Sequence, residues 1–262
     1  KIKEKISPSL KAIISGGAPL CESTLYFFHA IGIYLIQGYG LTETTGILCA
    51  NSFYFLKPSS VGKPLEGVQI KIAEDKEILT KGEINFNEYW NKPEATQESF
   101  TEDGWFKTGD LGELDENNFL SITGRKKDLI VTAGGKKIAP TLIEETVKQS
   151  PFIDHVAVFG DKQKWLTALI TLNKELVLKY FKQEKMDNSD WTSFVKSKEL
   201  IDFIEKEISN ASKELPEFEK IKKFMILAEP FTNAKDELTH TMKVKRNTIL
   251  KNYHSEIESM HK

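Results

Sequence analysis

Two short apolar runs, each closed by glycines, constrain this chain more than any other feature. Residues 10–15 (LKAIIS) run into Gly16-Gly17-Ala18-Pro19, and residues 33–36 end at Gly38 and Gly40. Between them, residues 20–31 carry helical spacing. Short apolar runs of this length, bounded by glycine, read as buried strands. Strand, helix and strand in this order predict parallel α/β architecture.

The texture changes after Val61. Residues 68–73 (VQIKIA) and 82–87 (GEINFN) alternate apolar and polar side chains, as half-buried strands do. Asp115-Glu116-Asn117-Asn118 separates LGEL from FLSI and predicts a hairpin turn. The stretch is expected to be a small β-rich module. Residues 124–128 (GRKKD) form a charged connector, and the domain boundary is placed there, giving domains 1–126 and 127–262.

Beyond the connector, residues 129–132 are strand-like. Pro140 opens a helix whose predicted inner face is Leu142, Ile143 and Val147. Residues 156–159, 166–172 and 224–227 read as strands, and Leu200, Ile201, Ile204 and Ile208 as one helix face. That is a compact α+β unit of ordinary domain size. The predicted fold class is therefore α/β with a β-rich module, followed by a smaller α+β domain.

Composition removes several functional classes. Lys+Arg is 36 against 38 Asp+Glu, a net charge of −2 that argues against a whole-chain basic surface of the kind nucleic acid needs. Cys21 and Cys49 make neither a disulfide framework nor a zinc site alone, and predict free thiols in a reducing compartment. No apolar run reaches the length of a membrane span. No G-x-S-x-G elbow or H-E-x-x-H pair supports a hydrolase or a metalloprotease. The start, KIKEKISPSL, has neither an initiator Met nor an apolar leader, so an interior piece of a longer chain is expected.

Four segments carry chemistry: SGGAPL (15–20), QGYGLTETTG (37–46), WFKTGDLGEL (105–114) and GRKKDLIVTAGGKKIAP (124–140). In the second, a glycine bend exposes backbone amides that suit an anion. Thr42 and Glu43 follow, and a carboxylate there suits Mg²⁺. The same pair also fits a helix cap. Gly16 and Gly17 admit close approach by a flat ligand, or make an ordinary turn. Asp110, after a glycine, can accept two hydrogen bonds side by side, as a ribose diol offers, or cap a strand. Trp105 and Phe106 read as core. Arg125 can fork to hydroxyls or phosphate, and Arg125-Lys126-Lys127 also fits a solvated charge run.

Taken together, the four segments resemble the ANL superfamily of adenylate-forming enzymes. The likeness is greatest to long-chain acyl-CoA synthetases, including the bubblegum type. It runs over nearly the whole chain and is weakest at 186–221. The resemblance implies ATP-dependent activation of a long-chain fatty acid through an acyl-adenylate, then transfer to coenzyme A. It implies ATP/AMP, Mg²⁺ and coenzyme A as ligands. Gly17, Ala18, Pro19, Gly38, Tyr39, Asp110 and Arg125 would bind the nucleotide, with Tyr39 on adenine and Asp110 on ribose. Thr42 would meet phosphate and Glu43 the metal. Lys127 would be the hinge between domains.

Gly134 or Gly135 would line the coenzyme A tunnel, and Lys136 and Lys137 would meet its phosphates or water. The superfamily's lysine in a mobile loop corresponds to Lys243 in THTMKVKR, with Met242 in place of the usual glycine. The superfamily's Gly/Ser/Thr-rich phosphate loop has no counterpart ahead of SGGAPL. A missing N-terminal portion, in the same or a separate chain, is therefore expected. Long-chain relatives often associate with membranes, though no anchor is visible in this sequence; the expected location is intracellular, at the cytoplasmic face of a membrane or mitochondrial. A non-catalytic subunit of a larger assembly, or a ligase for another carboxylic acid, would fit the same residues.

Overall fold

The computed structural model describes residues 2–262. They form two compact units, dividing between Lys127 and Asp128.

In the first unit, α1 (Ile2–Ile6) precedes β1 (Ala12–Ser15), α2 (Glu22–Ala30), β2 (Tyr34–Leu41), β3 (Gly46–Ala50) and β4 (Lys63–Pro64). These strands make a four-stranded sheet in sequence order, with β1 and β2 parallel and Ser15 opposite Gln37. The parallel pair joined by α2 is the expected βαβ start. Strand β2, however, does not end at Gly38. It continues to Leu41 because β3 turns back and pairs with it antiparallel. A Cβ on Gly40 would lie 1.8 Å from the Gly46 carbonyl oxygen, so only glycine lets the two backbones meet.

The β-rich module is a second four-stranded sheet: β5 (Gln69–Ile72), β6 (Glu77–Lys81), β7 (Phe106–Leu114) and β8 (Leu120–Arg125), with α3 (Pro93–Glu98) ahead of β7. The DENN turn forms as predicted. Asp115 Oδ1 accepts from the Asn117 and Phe119 amides, and Asn118 takes φ 62°. GEINFN is not a strand; the strand is Glu77–Lys81, directly before it. Residues 82–87 leave the sheet because their groups are used elsewhere. The Phe86 amide donates to the Glu43 carbonyl at 2.7 Å, and Phe86 packs against Tyr89, Phe100 and Phe106.

The second unit starts with the hairpin β9 (Ile130–Val131) and β10 (Lys137–Ile138), then α4 (Pro140–Val147). A three-stranded sheet follows in order β11 (Ile153–Phe159), β12 (Leu166–Leu172), β13 (Ile221–Leu227). Between the last two strands lie α5 (Lys174–Tyr180), α6 (Asn188–Phe194) and α7 (Lys198–Ala211); α8 (Arg246–Asn252) and α9 (His254–His261) close the unit. Pro140 sits in the first turn of α4, where its missing N–H costs nothing. The expected face of that helix is only partly right. Ile143 and Val147 are fully buried, but Leu142 is 48% exposed and Glu144 takes the inward position. Ile201 likewise turns outward while Leu200, Ile204 and Ile208 are buried.

Both cysteines are free thiols. Cys49 lies in the first unit's core, and burial pushes its thiol up to about 12. Alkylation with iodoacetamide at pH 7.5, read by peptide mapping, is expected to leave Cys49 unmodified until denaturant is added, because the thiolate is the nucleophile. Labelling of Cys49 in the folded protein would contradict this packing.

Candidate functional site

The parallel register ends with Ser15 opposite Gln37, so Gly16, just past the carboxyl end of β1, lies beside Gly38 within β2; the carboxyl ends of parallel strands are where open α/β sheets place their ligands. A Cβ on Gly16 would come within 3.2 Å of the Gly38 carbonyl oxygen. Gly17 takes φ +77°, and the exposed Ala18-Pro19 follows it out of the strand.

Between β2 and β3, residues Thr42–Thr44 make one 3-10 turn rather than the start of an α-helix. Thr42 is not its cap. The closing side chain is Thr44, whose Oγ1 accepts from the Leu41 amide at 2.9 Å and points back to the Leu41 carbonyl at 3.0 Å. That leaves the Thr42 hydroxyl exposed at the turn's entry. Glu43 is half-buried, and Tyr89 donates its hydroxyl to Glu43 Oε1 at 2.7 Å. Burial and this carboxylate raise the Tyr89 phenol above its ordinary range, so it stays a donor.

The tightest cluster joins three predicted nucleotide residues. Tyr39 donates to Asp110 Oδ2 at 2.7 Å, and Arg125 Nε donates to Asp110 Oδ1 at 2.7 Å. Register accounts for the second contact, since Asp110 on β7 faces Arg125 on β8. Asp110 is 5% exposed and Tyr39 7%. Burial, reinforced by the Asp110 charge, holds the Tyr39 phenol far above its usual range. Thr108 braces the turn: its hydroxyl donates to the Ile78 carbonyl and accepts from the Asp110 amide. A carboxylate has about four acceptor sites, so an Asp110 bonded by Tyr39 and Arg125 keeps capacity for a diol.

A second buried carboxylate lies behind the first. Glu77 accepts from the Gly109 amide at 3.0 Å and from Lys126 Nζ at 2.7 Å; Lys126 also pairs with Asp75 at 2.5 Å. Those two acids raise the Lys126 ammonium, and Lys126 holds Asp75 below the usual carboxylate range. The connector is thus an exposed basic run in which two of the three residues have carboxylate partners. Arg125 and Lys126 are both tied to the β-rich sheet, immediately before Lys127.

For a divalent cation, the donor chemistry fits a single-carboxylate site. Tyr89 orients Glu43 through one oxygen, and no other described side chain donates to its second. Among the described residues no group of three His, Cys, Asp or Glu side chains could hold a metal by itself. Mg²⁺ commonly binds through one or two carboxylates plus substrate phosphates, and Glu43 with a nucleotide phosphate would be such a set.

In the second unit, the β9–β10 loop carries both glycines. Gly135 takes φ +74° and donates its amide to the Thr132 carbonyl at 2.9 Å. Gly134 has ordinary φ, and a Cβ there would meet nothing within 4 Å. Lys136 and Lys137 are exposed, and Lys136 lies over the Phe218 ring at 5.3 Å.

Lys243 stands on a tight hairpin. The Thr239 amide donates to the Lys243 carbonyl at 2.8 Å, the Lys243 amide to Thr239 Oγ1 at 3.0 Å, and Leu238 bridges Val244. Met242 takes φ 61°, a conformation that glycine adopts without strain and that costs an L-residue about 1–2 kcal/mol. Glu237, fully buried, accepts from the Thr232 amide and from Asn252. Burial and Glu237 push the Tyr253 phenol up to about 12. On the other flank, Arg246 Nη2 meets both Glu144 oxygens at 2.7 Å.

Sequence reasoning missed Glu77, Tyr89, Glu144 and Glu237. Glu144 had a signal: it sits beside Ile143 and one turn before Val147, a charge on an apolar stripe. Tyr89 and Glu77 had none, because their roles depend on which strands become neighbours.

Residues 127–262 match the family model described as the AMP-binding enzyme C-terminal domain, and residues 1–90 match that of the AMP-binding enzyme. The chain is 40% identical over its full length to "Long-chain-fatty-acid--CoA ligase FadD15" of Mycobacterium tuberculosis, spanning 44% of that protein. It is 34% identical, over 94% of its length, to the human "Long-chain-fatty-acid--CoA ligase ACSBG1", spanning 37% of it. It therefore spans less than half the length of these curated relatives. Among solved structures, it resembles the O-succinylbenzoate coenzyme A synthetase of Bacillus subtilis in complex with ATP and magnesium ion (TM-score 0.68, 30% identity, 92% of this chain and 46% of that one). The adenylation domain of a carboxylic acid reductase from Segniliparus rugosus shares the fold at TM-score 0.75 and 21% identity, over 94% of this chain and 38% of that one.

Proposed function

Because the chain belongs to the AMP-binding enzyme family, we propose that it supplies the nucleotide site and the lysine-bearing domain of an AMP-forming long-chain fatty acid–CoA ligase. The observation that carries this reading is the buried Tyr39–Asp110–Arg125 cluster beside the glycine-rich ends of β1 and β2. A flat base can approach the bare backbone there, and Asp110 can receive a ribose diol.

A carboxylate resists nucleophiles because it is already anionic. In the first step one of its oxygens bonds to the α-phosphorus of ATP, and the bond from that phosphorus to the β-phosphate bridging oxygen breaks. Pyrophosphate leaves with the electron pair. Thr42 donates to a phosphate oxygen, and Lys243 brings its ammonium to the oxygens where charge accumulates, a form of electrostatic preorganisation. Glu43 would hold Mg²⁺, which would supply neutralising charge to the phosphates. In the second step the sulfur of coenzyme A bonds to the acyl carbon, the bond from that carbon to the AMP oxygen breaks, and the thiol proton passes to solvent. Rotation about Lys127 exchanges the Lys243 hairpin for the Gly134–Gly135 loop, a hinge motion whose fixed end is the Lys126 clamp.

The names of the 34–40% identical relatives support a long-chain fatty acid as substrate. The reading leaves the acyl tunnel to sequence beyond these residues, in one polypeptide or in a partner chain. Cys21 and Cys49, both free, support a reducing intracellular compartment.

Pyrophosphate exchange into ATP tests the assignment, using the polypeptide as the cell makes it, with any sequence that accompanies these residues. Palmitate is expected to support exchange at least about tenfold better than acetate or benzoate, since each extra buried methylene adds about 0.8 kcal/mol. Exchange with benzoate alone would move the substrate class to aryl acids. Absence of exchange with every acid would favour a non-catalytic subunit.

A further inference from the structure

We propose that Glu144 and Arg246 form a positioning pair that fixes the Lys243 hairpin to the edge strand β11, so that adenylation depends on an ion pair outside the nucleotide site. This rests on the role given to Lys243 above. Val158 on β11 uses both backbone groups on the pair: its amide donates to Glu144 Oε1 at 2.8 Å, and its carbonyl accepts from Arg246 Nε at 3.2 Å. Strand β11 is the edge of its sheet, so these groups have no further strand to meet. Arg246 opens α8 three residues after Lys243, and Glu144 lies on α4.

Stability alone does not account for the pair. A buried ion pair is commonly matched or bettered by apolar side chains of similar volume, and the surrounding residues are already a packed core. What an apolar pair cannot do is read a backbone. The guanidinium holds a carboxylate and a carbonyl at once, which fixes both the direction and the depth at which the chain leaves the hairpin. Glu237 anchors the hairpin's other flank, and the Lys245 amide donates to its carbonyl at 2.7 Å. With both flanks fixed, the hairpin follows the sheet.

The Gly134–Gly135 loop is mounted separately. Lys162 donates its amide to the Val131 carbonyl at 2.7 Å, and Ala133 to the Gln163 carbonyl at 2.9 Å. Disturbing the pair should therefore move the lysine and spare the glycine loop.

The experiment uses Arg246→Lys, which keeps both buried charges but loses the fork, and the paired replacement Glu144→Leu with Arg246→Leu, which leaves no unpaired charge. Each is measured in the polypeptide as the cell makes it, beside Lys243→Ala, for adenylation kcat, KM for ATP, thioester formation from supplied acyl-adenylate, and Tm. Adenylation kcat is expected to fall about ten- to a hundredfold, the effect of an ångström-scale misplacement. KM for ATP and the thioester step should stay within about twofold in folded variants. Wild-type adenylation in Arg246→Lys, or equal loss of both half-reactions with a lower Tm, would overturn the proposal. If Lys243→Ala itself leaves adenylation intact, the assignment of Lys243 fails first. If Lys243→Ala abolishes adenylation while the pair variants spare it, only the positioning role fails.

Discussion

Lys243→Ala is expected to slow adenylate formation about 10²- to 10³-fold while thioester formation from supplied acyl-adenylate stays within about twofold. The size follows from removing one preorganised charged donor from a transition state in which charge gathers on phosphate oxygens. The selectivity follows from where the lysine sits. Its hairpin and the Gly134–Gly135 loop are separate elements of the second unit, held by separate sets of backbone hydrogen bonds. Truncating one side chain on an exposed turn leaves the fold intact, so Tm should move by no more than a degree or two. Rapid-quench measurement of acyl-adenylate from palmitate and ATP, beside thiolysis of synthetic acyl-adenylate, separates the steps. Equal loss in both, or none in either, would remove Lys243 from the chemistry.

The alternative of a surface lysine in a charged run makes the opposite forecast. Lys245 and Arg246 lie close by in sequence but do different work. Lys245 pairs with Asp236, and Arg246 is committed to Glu144 and Val158. Lys245→Ala should change adenylation by less than about threefold, since exposed ion pairs contribute little.

Local signals in the sequence carried the parts of the fold that depend on local physics. Pro140 marked a helix start because its ring fixes φ and needs no partner. The DENN turn was legible because Asp115 satisfies its own loop. The glycines of β1 and β2 marked places where backbone comes close to something. Errors came where a distant partner decides. GEINFN alternates like a strand, yet Phe86 is drawn to Glu43 and an aromatic cluster. Gly38 and Gly40 looked like a strand's end, yet β3 extends that strand past them. On α4 the apolar pattern placed Leu142 inward, whereas the inward position belongs to Glu144. Its carboxylate has Arg246 to meet, 102 residues away in the chain. The candidate site divides the same way: motifs singled out Asp110, Tyr39 and Arg125, which the structure brings into one cluster, while Glu77, the brace behind them, was set by tertiary neighbours alone.

Gly134→Ala and Gly135→Ala are expected to fail in different ways, and the contrast assigns the coenzyme A path. Gly135 is glycine for a backbone reason. At φ +74° an alanine costs about 1–2 kcal/mol, so this variant should lose stability and disturb the Thr132–Lys136 turn. Gly134 has no such reason: its φ is ordinary and a methyl group there would meet no atom of its own unit within 4 Å. A glycine that neither conformation nor packing demands leaves room for the approach of something else, and under the proposed function that partner would be a pantetheine arm threading past bare backbone. Gly134→Ala should therefore keep its Tm and its adenylation rate. It should slow thioester formation about tenfold or more, with the loss reappearing as a raised KM for coenzyme A when the methyl group merely narrows the path. Gly134→Ala with a wild-type thioester step, together with Gly135→Ala losing that step at unchanged Tm, would move the path to Gly135.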